Sequence, residues 1–81
     1  MKITIKLFAS LRKFLPEGAQ KGKAELELPD GSSLKSIIDT LQIPAQMCHL
    51  TMVNGAHQKD LSSPLEDGVE VSIFPPVAGG A

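Results

Sequence analysis

Eight residues, Phe74-Pro75-Pro76-Val77-Ala78-Gly79-Gly80-Ala81, end the sequence with residue types suited to one task, carrying a chain terminus into a confined space. Each proline fixes its own φ, and Pro76 also biases Pro75 toward an extended conformation, so the approach to the end is stiff. Gly79 and Gly80 then remove every side-chain atom. From Pro75 onward such an arm spans roughly 20 Å when extended, with a tip slender enough to enter a narrow channel. A plain frayed terminus is the competing reading, because chain ends are commonly poorly ordered.

Other side chains with chemical potential are sparse. Cys48 is the sole cysteine. Only His49 stands near it as an activating partner, and a lone cysteine usually behaves as a small apolar residue, so a structural role is expected. His49 and His57 lack the further ligands at metal spacing that a zinc site needs, so no metal is expected. Arg12, Lys13, Lys21 and Lys23 make the first third basic. A solvated loop is the plain reading of them, and an electrostatic contact for an acidic partner the sharper one. No phosphate-cradling glycine loop, dinucleotide-binding glycine pattern, or nucleophile with base and orienting group occurs, so independent catalysis is not expected.

These residues must be positioned by a small body. Eighty-one residues make one domain, and a chain of this size buries only about 60 to 65% of its unfolded surface, enough for a single modest core. With 42% hydrophobic residues and a net charge of −1, the composition is globular and argues against a dedicated nucleic-acid or membrane binder. One cysteine excludes an internal disulfide, and no stretch reads as a signal peptide or membrane span, which makes the cytoplasm the expected compartment.

Two periodicities organise the chain. Ile3, Ile5 and Leu7 alternate with Lys2, Thr4 and Lys6, the pattern of a half-buried strand. A helical turn is expected over Ser10 to Phe14, ended by Pro16 and Gly18, before AELEL alternates again and completes a hairpin. Ser32 or Ser33 then caps a helix in which Leu34, Ile37, Ile38 and Leu41 form one apolar stripe, stopped by Pro44. Asn54-Gly55 sits between two short extended runs as a tight hairpin turn. A last strand places Val69, Val71 and Ile73 against Glu70 and Ser72. The expected core is Ile3, Ile5, Leu7, Leu26, Leu28, Ile37, Ile38, Leu41, Val71 and Ile73.

A helix with a one-sided stripe must pack across one face of a mixed sheet, giving an α+β fold of four or five strands whose first and last strands can be central and parallel. This is the β-grasp arrangement of ubiquitin-like proteins. Phe8 and Phe74 fall by alternation on the polar side of those strands, and parallel pairing would bring both to one end of the sheet, beside the root of the tail. They are candidates for a docking patch, unless Leu11, Phe14 or a loop covers them. Val77 lies beyond any core and is expected to serve a partner.

LFASLRKFLPEG near the start, VNG in the middle and PLEDGVEVSIFPPVAGG at the end resemble the MoaD/ThiS family of sulfur carriers over nearly the whole chain. Within it, Phe74 to Gly80 resembles the tail of the small subunit of molybdopterin synthase, whereas carriers serving thiazole synthesis usually lack the Pro-Pro. The resemblance implies a β-grasp body over 1–74 and a flexible tail over 75–81. It implies that the carboxylate of Gly80 is adenylated with ATP by a ubiquitin-activating-type, MoeB-like enzyme and becomes a thiocarboxylate. Sulfur then passes to a pterin precursor on a MoaE-like large subunit, in an expected hetero-tetramer. Pro75, Pro76, Val77, Ala78 and Gly79 would be the inserted arm, and Phe74 and Phe8 the partner contacts. No cofactor would be bound to the carrier itself.

The chemistry matches the residue types. A carboxylate is a poor acyl electrophile until one oxygen becomes a leaving group, so it must reach an ATP-bearing pocket, and a Cβ there would crowd the attacking sulfur. Ala81 departs from the family pattern, because with it in place Gly80 presents only an amide carbonyl. Three readings stand: Ala81 is removed, a terminal alanine is tolerated, or the chain is an altered or inactive carrier. A ubiquitin-like modifier joined through Gly80 to lysines, a carrier for another pathway such as thiazole synthesis, and a simple binding module are the alternatives.

Overall fold

A computed structural model of the chain describes residues 1–76. Val77, Ala78, Gly79, Gly80 and Ala81 lie outside the described residues, and so does the expectation of a flexible Gly-Gly tip. Five strands, β1 (Lys2–Leu7), β2 (Lys23–Glu27), β3 (Leu50–Val53), β4 (Ala56–His57) and β5 (Glu70–Phe74), form one mixed sheet in the order β2-β1-β5-β3-β4. β1 and β5 are parallel at its centre, with Thr4 opposite Glu70 and Leu7 opposite Ile73, and the other pairings are antiparallel. With α1 (Leu34–Leu41), the one α-helix among the described residues, this is the expected β-grasp architecture.

Alternation decides which face is inward. Ile3, Ile5, Leu7, Val71 and Ile73 are almost wholly buried and meet Leu34, Ile37 and Ile38 of α1 in one core, with Leu11, Leu28, Ile43, Leu65 and Val69 around them. Ser33 starts the helix as a capping box: its hydroxyl accepts from the Ser36 amide while the Ser36 hydroxyl accepts from the Ser33 amide, satisfying two amides that have no intrahelical partner. Gln42 at φ 59° ends it in the left-handed conformation, one residue before the buried Ile43. The stripe therefore stops before Pro44 is reached.

Two expected core residues are less buried than anticipated. Leu26 and Leu41 are half-buried and pack on the core from its margin, because β2 is an edge strand and Leu41 belongs to the last helical turn. Leu11, Ile43 and Leu65 take their place in the interior. The helical turn after β1 is a short 3₁₀ helix over Ala9–Phe14, and a second one covers Ala45–Met47. Among the described residues no helix is long and apolar enough to cross a membrane.

Ile38 is 6% exposed, and Ile38→Ala should cost about 2 to 4 kcal/mol of stability by removing buried methyl groups and leaving a cavity. Urea unfolding measures it. A loss below about 0.5 kcal/mol, the scale of an ordinary surface substitution, would show that α1 does not rest on the sheet.

Candidate functional site

The tail leaves from the middle of the sheet. At the end of β5 the Ile73 carbonyl accepts from the Phe8 amide at 3.3 Å and the Phe74 carbonyl accepts from the His49 amide at 2.9 Å. One bond ties the strand end to each side. Pro75 and Pro76 follow, half-buried and exposed respectively. Neither has an N–H to continue the ladder, so pairing stops there.

Phe8 and Phe74 flank this exit on the face away from the helix. Phe8 continues the extended backbone of β1 (φ −116°, ψ 150°), and Ala9 turns the chain away at φ 52°, a conformation that costs an alanine roughly 1 to 2 kcal/mol. The two rings are parallel, 4.2 Å between centroids and 11° between planes. They cover part of one another, and both stay half-buried. Leu11, the proposed local cover, is instead fully buried in the core, and Phe14 packs against that core.

Two further residues join them. Leu50 pairs with Phe74 and Met52 with Ser72 across β3 and β5, so both share the outward face with the two rings. Phe8, Phe74, Leu50 and Met52 thus form a half-buried apolar cluster outside the helix-side core. Leu50 and Met52 were not legible as site residues, because LTMV has three apolar positions in four and alternation alone cannot choose its face.

Turn chemistry places this patch. Asp67 Oδ1 accepts from the Lys2 amide at 2.6 Å while the Gly68 amide donates to the Lys2 carbonyl at 2.7 Å, fixing where β5 joins β1. Asn54 and Gly55, at φ 51° and 82°, make the tight turn expected of Asn-Gly. Asn54 also clasps Glu70, donating its amide at 2.7 Å to the Glu70 carbonyl and accepting the Glu70 amide on Oδ1 at 2.8 Å. Both motifs set register at the far end of β5, and register carries Phe74 to the exit.

The remaining candidates fall elsewhere. Cys48 is half-buried against the core and its thiol donates to the Pro44 carbonyl at 3.7 Å. Burial pushes this thiol up from its ordinary pKa, the opposite of what a thiolate nucleophile needs. His49 contributes its backbone to the exit, whereas His57 lies opposite Met52 on β4. Among the described residues no three His, Cys, Asp or Glu side chains are grouped to hold a metal.

The model of one family, described as the ThiS family, matches residues 5–80. By sequence, no curated protein matches the chain. Among solved structures, SAMP1 from Haloferax volcanii superposes with a TM-score of 0.73 at 20% identity, over 99% of this chain and 100% of that one. A Pyrococcus furiosus protein assigned as molybdopterin converting factor subunit 1 gives 0.67 at 26% identity, over 94% and 98%. The complex of subunits 1 and 2 of molybdopterin-converting factor from Helicobacter pylori contains a chain that gives 0.61 at 22% identity, over 99% and 100%.

Proposed function

The chain belongs to the ThiS family, and from that premise we propose that it is a sulfur carrier whose chain end at Gly80 is activated and loaded with sulfur. The observation that carries this reading is the reach of the family match through Gly80. The body beneath supports it: a tail root at the centre of the sheet, beside an apolar patch.

In the proposed reaction, a carboxylate oxygen of Gly80 attacks the α-phosphorus of ATP on a MoeB-like enzyme and pyrophosphate leaves. A sulfide-equivalent nucleophile then attacks the acyl carbon and AMP leaves, so the chain ends in a thiocarboxylate. This chain supplies no general base or metal to either step. Its part is to carry the acyl group on an arm without side chains at the tip, and to dock through Phe8, Phe74, Leu50 and Met52. For Gly80 itself to react, Ala81 has first to be removed by a peptidase, because with Ala81 in place Gly80 carries a peptide amide and not the free carboxylate that adenylation uses.

Molybdopterin synthesis is the pathway we favour. The Pro75-Pro76 arm and the likeness to the Pyrococcus furiosus converting-factor subunit support it. The partner would then be a MoaE-like large subunit, consistent with the paired subunits of the Helicobacter pylori factor. Intact mass of the protein isolated from its own host tests the reading: the expected species ends at Gly80 and carries sulfur in place of one oxygen. Isopeptide adducts on other proteins, with no thiocarboxylate, would replace the carrier reading with that of a modifier.

A further inference from the structure

The surface around the tail root carries a charge pattern that the apolar patch does not explain. Between residues 6 and 23 the chain holds Lys6, Arg12, Lys13, Lys21 and Lys23 against the single acid Glu17. Topology gathers these cations where β5 ends. The Ala9–Phe14 turn follows β1 there, Lys23 pairs with Lys6, and the Leu7 amide donates to the Gly22 carbonyl at 3.0 Å. The other end of the sheet is acidic, with Glu27 opposite Lys2, Asp30 3.4 Å from the Met1 amine, and Glu66 and Asp67 in the turn that meets Lys2. A net charge of −1 conceals this polarity.

Lys6 is paired with Glu70 at 3.4 Å, but Arg12, Lys13, Lys21 and Lys23 are exposed and have no carboxylate partner among the described residues. Three of the four are constrained by other means. The Arg12 guanidinium rests on Gly22, where an added Cβ would stand 3.1 Å from Nε. Lys13 Nζ lies 5.5 Å from the centroid of the Phe14 ring. Lys21 occupies a left-handed position, φ 55°, in the two-residue turn closed by the mutual 3.0 Å hydrogen bonds of Gln20 and Lys23. Asn, Asp or Gly is favoured there, so a lysine carries a conformational cost that its turn does not require.

We propose that Arg12, Lys13, Lys21 and Lys23 form a basic rim that docks on an acidic protein surface bordering the entrance through which the tail is taken up, accelerating encounter with the activating enzyme. This rests on the carrier reading. The rim adjoins the apolar cluster at Phe8 and Phe74, and an apolar centre edged by charge is the anatomy of a protein interface. Nucleic acid fits less well. Glu25 and Glu70 flank Thr4 on the same sheet face and would repel a phosphate backbone laid across it. Opposed charges at the edge of an interface act mainly on the association rate and weaken with salt.

The test compares Lys13→Glu/Lys21→Glu with Lys2→Glu/Lys35→Glu, which changes net charge equally but away from the rim. Association of each full chain with the host's ubiquitin-activating-type ATPase is followed by stopped flow at low and high salt. The rim variant should associate about tenfold more slowly at low salt, with dissociation changed less than about twofold and the difference vanishing at high salt. The remote variant should stay within about twofold of the natural chain. Equal slowing by both variants, or by neither, overturns the rim. So does salt-dependent duplex DNA binding that the rim variant loses while its association with the ATPase is unchanged. If the natural chain does not bind the ATPase at all, the carrier reading itself fails. Circular dichroism confirms that both variants fold.

Discussion

A chain ending at Gly80 is expected to be adenylated and thiocarboxylated about a hundredfold or more faster than the chain ending at Ala81, given the cognate ATPase, ATP and a sulfur source. One added residue lengthens the arm by about 3.3 Å and places a methyl group beside the reacting carbon. In a site that must align a carboxylate with the α-phosphate, a misplacement of about 1 Å can itself cost a hundredfold in rate. Binding should change little, because the patch around Phe74 lies on the body and is the same in both chains. Pyrophosphate release and mass spectrometry read the two rates. Equal rates would show that the tip is not measured this strictly and that trimming is unnecessary. No reaction of either form, where an established carrier reacts, would remove the carrier function.

The second large effect is expected at Phe74. Replacing it with alanine should weaken the proposed complex with a large synthase subunit by about 1 to 3 kcal/mol, the range for a buried aromatic anchor. Because its ring also stacks on Phe8 at 4.2 Å, the same change should cost the free protein about 0.5 to 1.5 kcal/mol. Calorimetry of the complex and urea unfolding of the free protein separate the two. Leu50→Ala, opposite Phe74 in register, should weaken the complex without removing the stack. If both variants bind as the natural chain does, the patch is not the interface.

The central strands and the helix were legible because their burial follows a strict period. Ile3, Ile5 and Leu7 alternate cleanly with polar residues, and their inward direction, once set, placed Phe8 and Phe74 on the outer face at one end. That the two rings stack was not legible, since it depends on Ala9 turning the chain away at an unfavoured φ. β3 hid its orientation for a different reason. Its inward residue is Thr51, 5% exposed, which a hydropathy pattern assigns to solvent. Burial is tolerated because the hydroxyl donates to the Gln58 carbonyl at 2.6 Å, satisfying the polar group that would otherwise oppose it. With Thr51 inward, Leu50 and Met52 must face out. Leu11, Ile43 and Leu65 escaped because each lies in a loop or a short 3₁₀ segment, too brief for a period to reveal which residue turns inward.

The parallel pairing of β1 with β5 bears on when the carrier becomes usable. Residues 4–7 hydrogen-bond with residues 70–73, so the middle of the sheet closes only after nearly the whole described chain has been gathered into one loop. Such long-range closure makes assembly slow and concerted compared with a helical domain of this size. The arm, the stacked rings and the carbonyls that tie Phe8 and His49 all hang from that last strand. A half-folded molecule therefore lacks the patch and the fixed tail root together. An activating enzyme that docks on the patch would spend its ATP on completed molecules alone, and the order of the strands would serve as a check on folding before sulfur is committed.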